Sequence, residues 1–286
     1  MTSVNISYLQ GILHRRDPFA HKGDFGRGLL IAGCREMCGA AILAARASLR
    51  SGIGLLHVHA SASIYDCLQA AVPEAMVQRD ARHNDHFADE QLSIEKFDAV
   101  ALGPGLGQGP DQGRAIHALL HQNASFQKPM VIDADALNIL AEHQDWLHLL
   151  GPHCILTPHP KEFERLIQSP QKLNYDERLE KGIAFAQKHQ VHLILKGAQT
   201  AVIQPNGEYH INTSGNPGMA SGGSGDVLTG ILLSLLAQRY SCSDAALLGV
   251  YIHGLSGDIA LKHESEESLV ASDLYRYLGE AFKTLK

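Results

Sequence analysis

The chain is expected to be an α/β protein with a mostly parallel central sheet, helices on both faces of that sheet, and an antiparallel hairpin in its C-terminal part. Three observations predict this. Short apolar runs alternate with helix-forming stretches, the pattern of buried parallel strands joined by crossover helices. Pro205-Asn206-Gly207 separates two strand-like runs, 200–203 and 209–211, and Asn-Gly in that setting signals a hairpin. A glycine-rich loop, 212–226, leads directly into the apolar stretch 227–237.

In chain order, 29–33 reads as a short buried strand, and 40–50 is rich in helix formers and closes at Gly52. Strands are predicted at 55–58 and 97–102, the second running into Gly103-Pro-Gly-Leu-Gly107. A helix around 114–121 precedes a strand at 129–133, and 154–157 and 192–195 are two more strands. Helices fill the gaps around 136–142, 161–167 and 176–188. With no repeat, low-complexity stretch or linker, residues 1–286 are expected to form one domain. Several strands end in Gly, Asp, His or Lys. Ligands bind beyond the carboxyl ends of strands in open parallel sheets, so the site is expected along that edge.

A net charge of −6 and the lack of a basic run exclude bulk attraction to nucleic acid or an anionic membrane. The five cysteines are odd in number and scattered, which fits reduced thiols. No apolar run approaches the ~20 residues that span a bilayer, and no secretory leader is seen in the first thirty residues. A soluble cytoplasmic protein is expected. Among the seventeen histidines, His57 and His59 alternate along a predicted strand and so share a face, read as a solvated face rather than a metal pair.

The loop 212–226 carries the chemistry. Its fifteen residues hold five glycines and end in Asp226, on the first turn of an apolar helix. Gly222, Gly223 and Gly225 let a ligand approach backbone. The helix start offers unpaired N–H groups and a positive dipole end, which suit phosphate. Asp226 adds a carboxylate beside that cradle, the equipment for moving a phosphoryl group onto a hydroxyl. The plainer reading is a flexible loop with Asp226 as a cap, but a linker has no packed helix behind it. The stretch 227–237 is apolar on all sides and should lie at the centre of the domain.

Other segments are less specific. Gly103 to Gly109 lacks the glycine spacing of a dinucleotide fingerprint, and no P-loop is present. It is a close-approach loop for a ligand or a plain tight turn. Asp133 and Asp135 are metal or hydroxyl ligands, or one caps the next helix. His159, between two prolines, is either a rigidly mounted site residue or a surface histidine. Lys196, at a strand end before a glycine turn, can neutralise phosphate. The small residues of 253–258 read as packing against the phosphate helix.

Together these residues resemble the ADP- or ATP-dependent NAD(P)H-hydrate dehydratases, a branch of the ribokinase-like fold with three α/β/α layers. The resemblance is carried by residues 21–26, 39–45, 103–107, 131–138, 157–160, 196–200 and 215–226, nearly the whole chain in the family's order. It implies that hydrated NADH or NADPH is phosphorylated on its 6-hydroxyl by ADP or ATP with Mg2+, and that phosphate then leaves to restore the nicotinamide ring. Ala41, Gly105, His159 and Asp226 match positions that contact the hydrated dinucleotide, and Asp226 would be the base. Lys196, Gly197, Ala198, Gln199, Thr200 and Gly225 match the adenine-nucleotide site. The resemblance also implies a homotetramer, a stand-alone dehydratase without the fused epimerase, and ADP as the preferred nucleotide. It assigns no magnesium ligand. Two departures, Glu36-Met-Cys38 before Gly39 and Lys161 after His159-Pro160, lie near the expected site. The rivals are a ribokinase-like kinase for a hydroxyalkyl heterocycle and a non-catalytic nucleotide sensor.

Overall fold

One ten-stranded sheet organises the computed structural model, which describes residues 2–286. Its strands are β1 (Thr2–Ser3), β2 (Arg27–Ile31), β3 (Leu55–Ala60), β4 (Met76–Arg79), β5 (Ala99–Leu102), β6 (Met130–Ile132), β7 (Cys154–Leu156), β8 (His192–Leu195), β9 (Ala201–Ile203) and β10 (Tyr209–Ile211). Their spatial order is β1-β10-β9-β8-β7-β6-β5-β2-β3-β4. Every neighbouring pair is parallel except β9 with β8 and with β10, so β9 alone is reversed. The hairpin predicted at 205–207 is the cause. Gly207, at φ +90°, donates its N–H to the carbonyl of Gln204 at 2.9 Å, a turn that returns the chain beside β9.

The helices are α1 (Ile6–Ile12), α2 (Cys38–Arg50), α3 (Tyr65–Ala71), α4 (Pro110–Phe126), α5 (Ala134–Glu142), α6 (Pro160–Leu166), α7 (Tyr175–His189), α8 (Ser224–Ala237), α9 (Cys242–Ala260) and α10 (Ala271–Thr284). Strand residues alternate between two cores. Leu30, Ala101, Val131, Ile155 and Ile194 join the core of α2, α8, α9 and α10, while Leu29, Val100, Ile132, Leu156 and Leu193 join that of α4 to α7. This is the expected three-layer arrangement, and both faces being covered explains why the strands read as continuous apolar runs.

Helix α8 is central: every residue from Val227 to Ala237 is buried. It touches α2 backbone to backbone. A Cβ on Gly230 would stand 2.1 Å from the carbonyl oxygen of Ala44, and Ser48 Oγ donates to the Gly230 carbonyl at 2.7 Å. That contact fixes the height of the α8 start at the carboxyl edge of the sheet. The segment His21 to Gly26 lies at the opposite end, where a Cβ on Gly26 would overlap the carbonyl of Ala237. It supports the far end of α8 and not the site.

The small residues of 253–258 do pack, but against the glycine loop that precedes the helix: a Cβ on Gly254 would meet Ser214, and one on Gly257 would meet Met219. On α9, Asp258 accepts the N–H of Gly215 at 2.9 Å and the side-chain amide of Asn216 at 3.1 Å, anchoring the glycine loop. The solvated face expected for His57 and His59 is corrected. They do share a face, against Phe97 and Phe87, but that face is interior. His59 is fully buried with Nε2 3.4 Å from Asp80, and the segment 80–97 covers it. All five cysteines are unbridged, with the sulfurs of Cys38 and Cys67 3.2 Å apart.

Candidate active site

Four strand ends and one helix start meet at the carboxyl edge. After β6 the chain turns sharply, with Ala134 held at φ +48°, a strained conformation of the kind that collects at functional sites. The turn places Asp133 inward, 1% exposed. Lys196, at the end of β8, reaches across β7 and puts Nζ 2.8 Å from Asp133 Oδ1, while Thr229 Oγ1 on α8 donates to Oδ2 at 2.7 Å. Asp133 stands at the N-cap of α5 but makes no side-chain cap bond. It ties β6, β8 and α8 together and aims the lysine. Burial opposes the charge of Lys196, but Asp133, Glu162 and Asp226 outweigh it and hold the ammonium protonated.

Asp135 is engaged with the neighbouring loop. Its carboxylate accepts the N–H of Gly107 at 2.8 Å and the side-chain amide of Gln108 at 2.7 Å, which clamps the 103–109 loop to α5. Gly103 must lie close to this turn, since a Cβ there would overlap the Asp133 carbonyl.

His159 caps α6. Its Nδ1 accepts the N–H groups of Lys161 and Glu162 at 3.1 and 3.2 Å, so the proton sits on Nε2, 3.3 Å from Glu162 Oε1. Burial, then the cations Lys196 and Arg165, lower the His159 pKa and keep the ring neutral. Glu162 closes the chain of charges with Oε2 3.8 Å from Lys196 Nζ. Sequence reasoning missed it. The signal was the Pro-x-Glu pattern after His159, which makes a capping box.

The glycine loop ends at Gly223, φ +91°, where a Cβ would strike Leu43. Gly225 faces Lys196, and a Cβ there would stand 3.3 Å from Nζ. Asp226 follows. Its carboxylate makes no hydrogen bond to a described residue. Burial raises its pKa to about 7, with Asp133 adding to the shift and Lys196 opposing it. A half-buried carboxylate with a free acceptor and a pKa near neutrality is equipped as a general base.

These groups line a cavity of about 670 Å³ bounded by Asp133, His159, Glu162, Lys196, Gly197, Ala198, Thr200, Gly225, Asp226 and His253. Of the predicted nucleotide-site residues, Gln199 is exposed and is not among the lining residues. Thr200 Oγ1 donates back to the Gly197 carbonyl at 2.9 Å and closes the turn. Ala41 and Gly105 are not among the lining residues of this cavity. Ala41 is fully buried, and Gly105, at φ +61°, packs so closely on Met37 that a Cβ would come within 2.9 Å of its carbonyl. His253 was read only as packing, yet its Nε2 donates to the Ser224 carbonyl at 3.0 Å and its ring forms part of the wall.

No cluster of three metal-ligand side chains exists among the described residues. The free oxygens of Asp226 fit a magnesium ion held mainly by nucleotide phosphates and water, since that ion needs only one or two carboxylates.

A glycine-rich helix start at the strand ends, beside an unpaired carboxylate and a fixed lysine, defines the class: a ribokinase-like α/β protein whose helix start suits a phosphate group. The NAD(P)H-hydrate dehydratase family profile matches residues 28–279, and the chain belongs to that family. It is 34% identical over 276 residues to the ADP-dependent (S)-NAD(P)H-hydrate dehydratase of Bacillus subtilis, covering 96% of each chain. It is 37% identical over 291 residues to the bifunctional NAD(P)H-hydrate repair enzyme of Moorella thermoacetica, covering 99% of this chain and 54% of the relative. The chain thus spans about half the length of such bifunctional relatives. The crystal structure of the Bacillus subtilis ADP/ATP-dependent dehydratase, co-crystallized with ATP and Mg2+, superposes with a TM-score of 0.86 at 30% identity, covering 100% of this chain and 99% of that one. Hydroxyethylthiazole kinase from Pyrococcus horikoshii shares the fold alone, with a TM-score of 0.61 at 12% identity.

Proposed function

We propose that the protein is a nucleotide-dependent dehydratase that returns hydrated NADH and NADPH to NADH and NADPH. The observation that carries this reading is Asp226, unpaired, titrating near neutrality and seated at the phosphate-binding start of α8. The relatives' activity supplies the substrate. The 6-hydroxyl oxygen attacks the terminal phosphorus of ADP or ATP as its proton passes to Asp226. The C–O bond then breaks with phosphate as the leaving group, and the neighbouring ring carbon loses a proton to restore the double bond. Lys196 and the N–H groups at the α8 start stabilise the transferring phosphate, and magnesium, which the nucleotide phosphates and Asp226 would hold, would shield its charge.

The nucleotide occupies the side formed by Lys196, Gly197, Ala198, Thr200 and Gly225, with the backbone of Gln199 between Ala198 and Thr200. The hydrate occupies the side formed by Ala41, Gly105, His159 and Asp226. ADP is the proposed phosphoryl donor, by analogy with the Bacillus subtilis relative. Residues 1–286 act as one ribokinase-like domain, in a cytoplasmic homotetramer whose mass light scattering would measure.

The test is recovery of absorbance in the reduced-nicotinamide band when the protein meets hydrated NADPH, magnesium and ADP or ATP. Recovery that requires nucleotide supports the dehydratase and identifies the donor. A stable phosphorylated product from another alcohol, with no recovery, would favour the kinase.

A further inference from the structure

The cleft continues past His159. His159 and Pro160 also line a second, open depression of about 840 Å³ along α6 and the segment joining it to α7. Four cations bound it: Lys161, Arg165, Lys172 and Arg178. Its one carboxylate, Glu164, is engaged, because Oε1 accepts the N–H of Leu173 at 2.9 Å. None of the four cations forms an ion pair with a described residue. Arg165 uses only Nε, on Asn138, and Arg178 uses only Nη2, on the Leu173 carbonyl. The Nε of Arg178 is buried without a partner. In a chain of net charge −6, four uncompensated cations beside the cleft are a local reversal of sign that favours a multiply charged anion. Their field reaches the cleft, since Arg165 and Lys161 are among the groups that keep His159 neutral.

We infer that this depression holds the phosphate-bearing half of the hydrated dinucleotide, and that Lys172 and Arg178 bind a phosphate monoester on its adenosine ribose. The inference rests on the function proposed above. With the reacting ring at Asp226, the dinucleotide passes His159, its pyrophosphate meets Lys161 and Arg165, and its far end meets Lys172 and Arg178. A phosphate there exists on NADPH hydrate and not on NADH hydrate, so the depression selects the phosphorylated substrate.

The experiment compares KM and kcat for both hydrates in the wild-type protein, Lys172→Ala, Arg178→Gln and Lys161→Ala. Lys172 is exposed, so its truncation leaves the fold intact. Lys172→Ala and Arg178→Gln should each raise KM for NADPH hydrate roughly 3- to 10-fold, with kcat and the NADH hydrate parameters unchanged. Lys161→Ala should raise KM for both. Added salt should erode the wild-type preference for NADPH hydrate. Equal effects of Lys172→Ala on the two hydrates, or no effect on either, would overturn the inference while leaving the dehydratase intact. A wild-type protein that restores neither hydrate would instead sink the function on which it rests.

Discussion

In the proposed reaction Asp226 acts as the base through its surroundings. Removing its charge while keeping its shape, Asp226→Asn, should lower turnover by ~10²- to 10⁴-fold, the usual effect of losing a general base, and leave nucleotide binding within a few-fold. Near-normal turnover would assign the base elsewhere. A base must be ionised, so kcat/KM should rise with pH through about 7 and level off above it. A profile already flat from pH 5 upward would exclude Asp226 as the titrating group. The same shift has a stability consequence. The folded protein holds this proton up to about pH 7, whereas an unfolded aspartate releases it near pH ~3.9. Between those values the folded state binds more protons, so stability falls as pH rises, by roughly 2–4 kcal/mol in total. Asp226→Asn should therefore melt higher than wild type at pH 8, and equal midpoints would show the carboxylate is not destabilised. Lys196 behaves in the opposite sense. Lys196→Ala leaves Asp133 buried without its cation, so it should lose roughly 3 kcal/mol of stability as well as nucleotide affinity. Undiminished nucleotide affinity in calorimetry would remove Lys196 from the phosphate site.

Helices α2 and α8 set the position of the cradle, and their contact is limited by one glycine. Gly230→Ala would ordinarily gain ~1 kcal/mol of helix propensity. Here the methyl group meets the Ala44 carbonyl at 2.1 Å, and the helices must part. The variant should lose several kcal/mol and much of its turnover, and a melting point at or above wild type would contradict the close contact. The cradle itself was legible in the sequence, because glycines, an aspartate and an apolar helix are contiguous there. So was Lys196, because a lysine ending an apolar run leaves few places for its charge. Glu162 was not. It sits three residues into α6, and its link to Lys196 exists only once β7 and β8 lie side by side. The roles of Asp133 and Asp135 were likewise ambiguous. Spacing placed both at a strand end but said nothing of the lysine and the glycine loop they hold. His59 was misjudged for a related reason: alternation along β3 gives the face, and only the covering segment 80–97 makes it interior.

Across the whole molecule, the parallel sheet with its single reversed strand follows from patterns in the chain, since apolar runs and one Pro-Asn-Gly turn are local. What local pattern could not supply is convergence. Lysines and arginines at 161, 165, 172 and 178 look scattered in the sequence, and only the fold of α6 and the start of α7 gathers them beside the cleft. The sheet brings strand ends from four separate segments to one edge, and α8 brings its glycine-rich start and Asp226 to the same edge. The central claim is that phosphate transfer and ring restoration are one reaction at that edge. It is tested most directly by following reduced-nicotinamide absorbance and inorganic phosphate in one reaction of hydrated NADPH, magnesium and nucleotide. One phosphate released for each nicotinamide restored, with both signals lost in Asp226→Asn, is the predicted result. Phosphate release without restored absorbance, or restoration without nucleotide consumption, would contradict it.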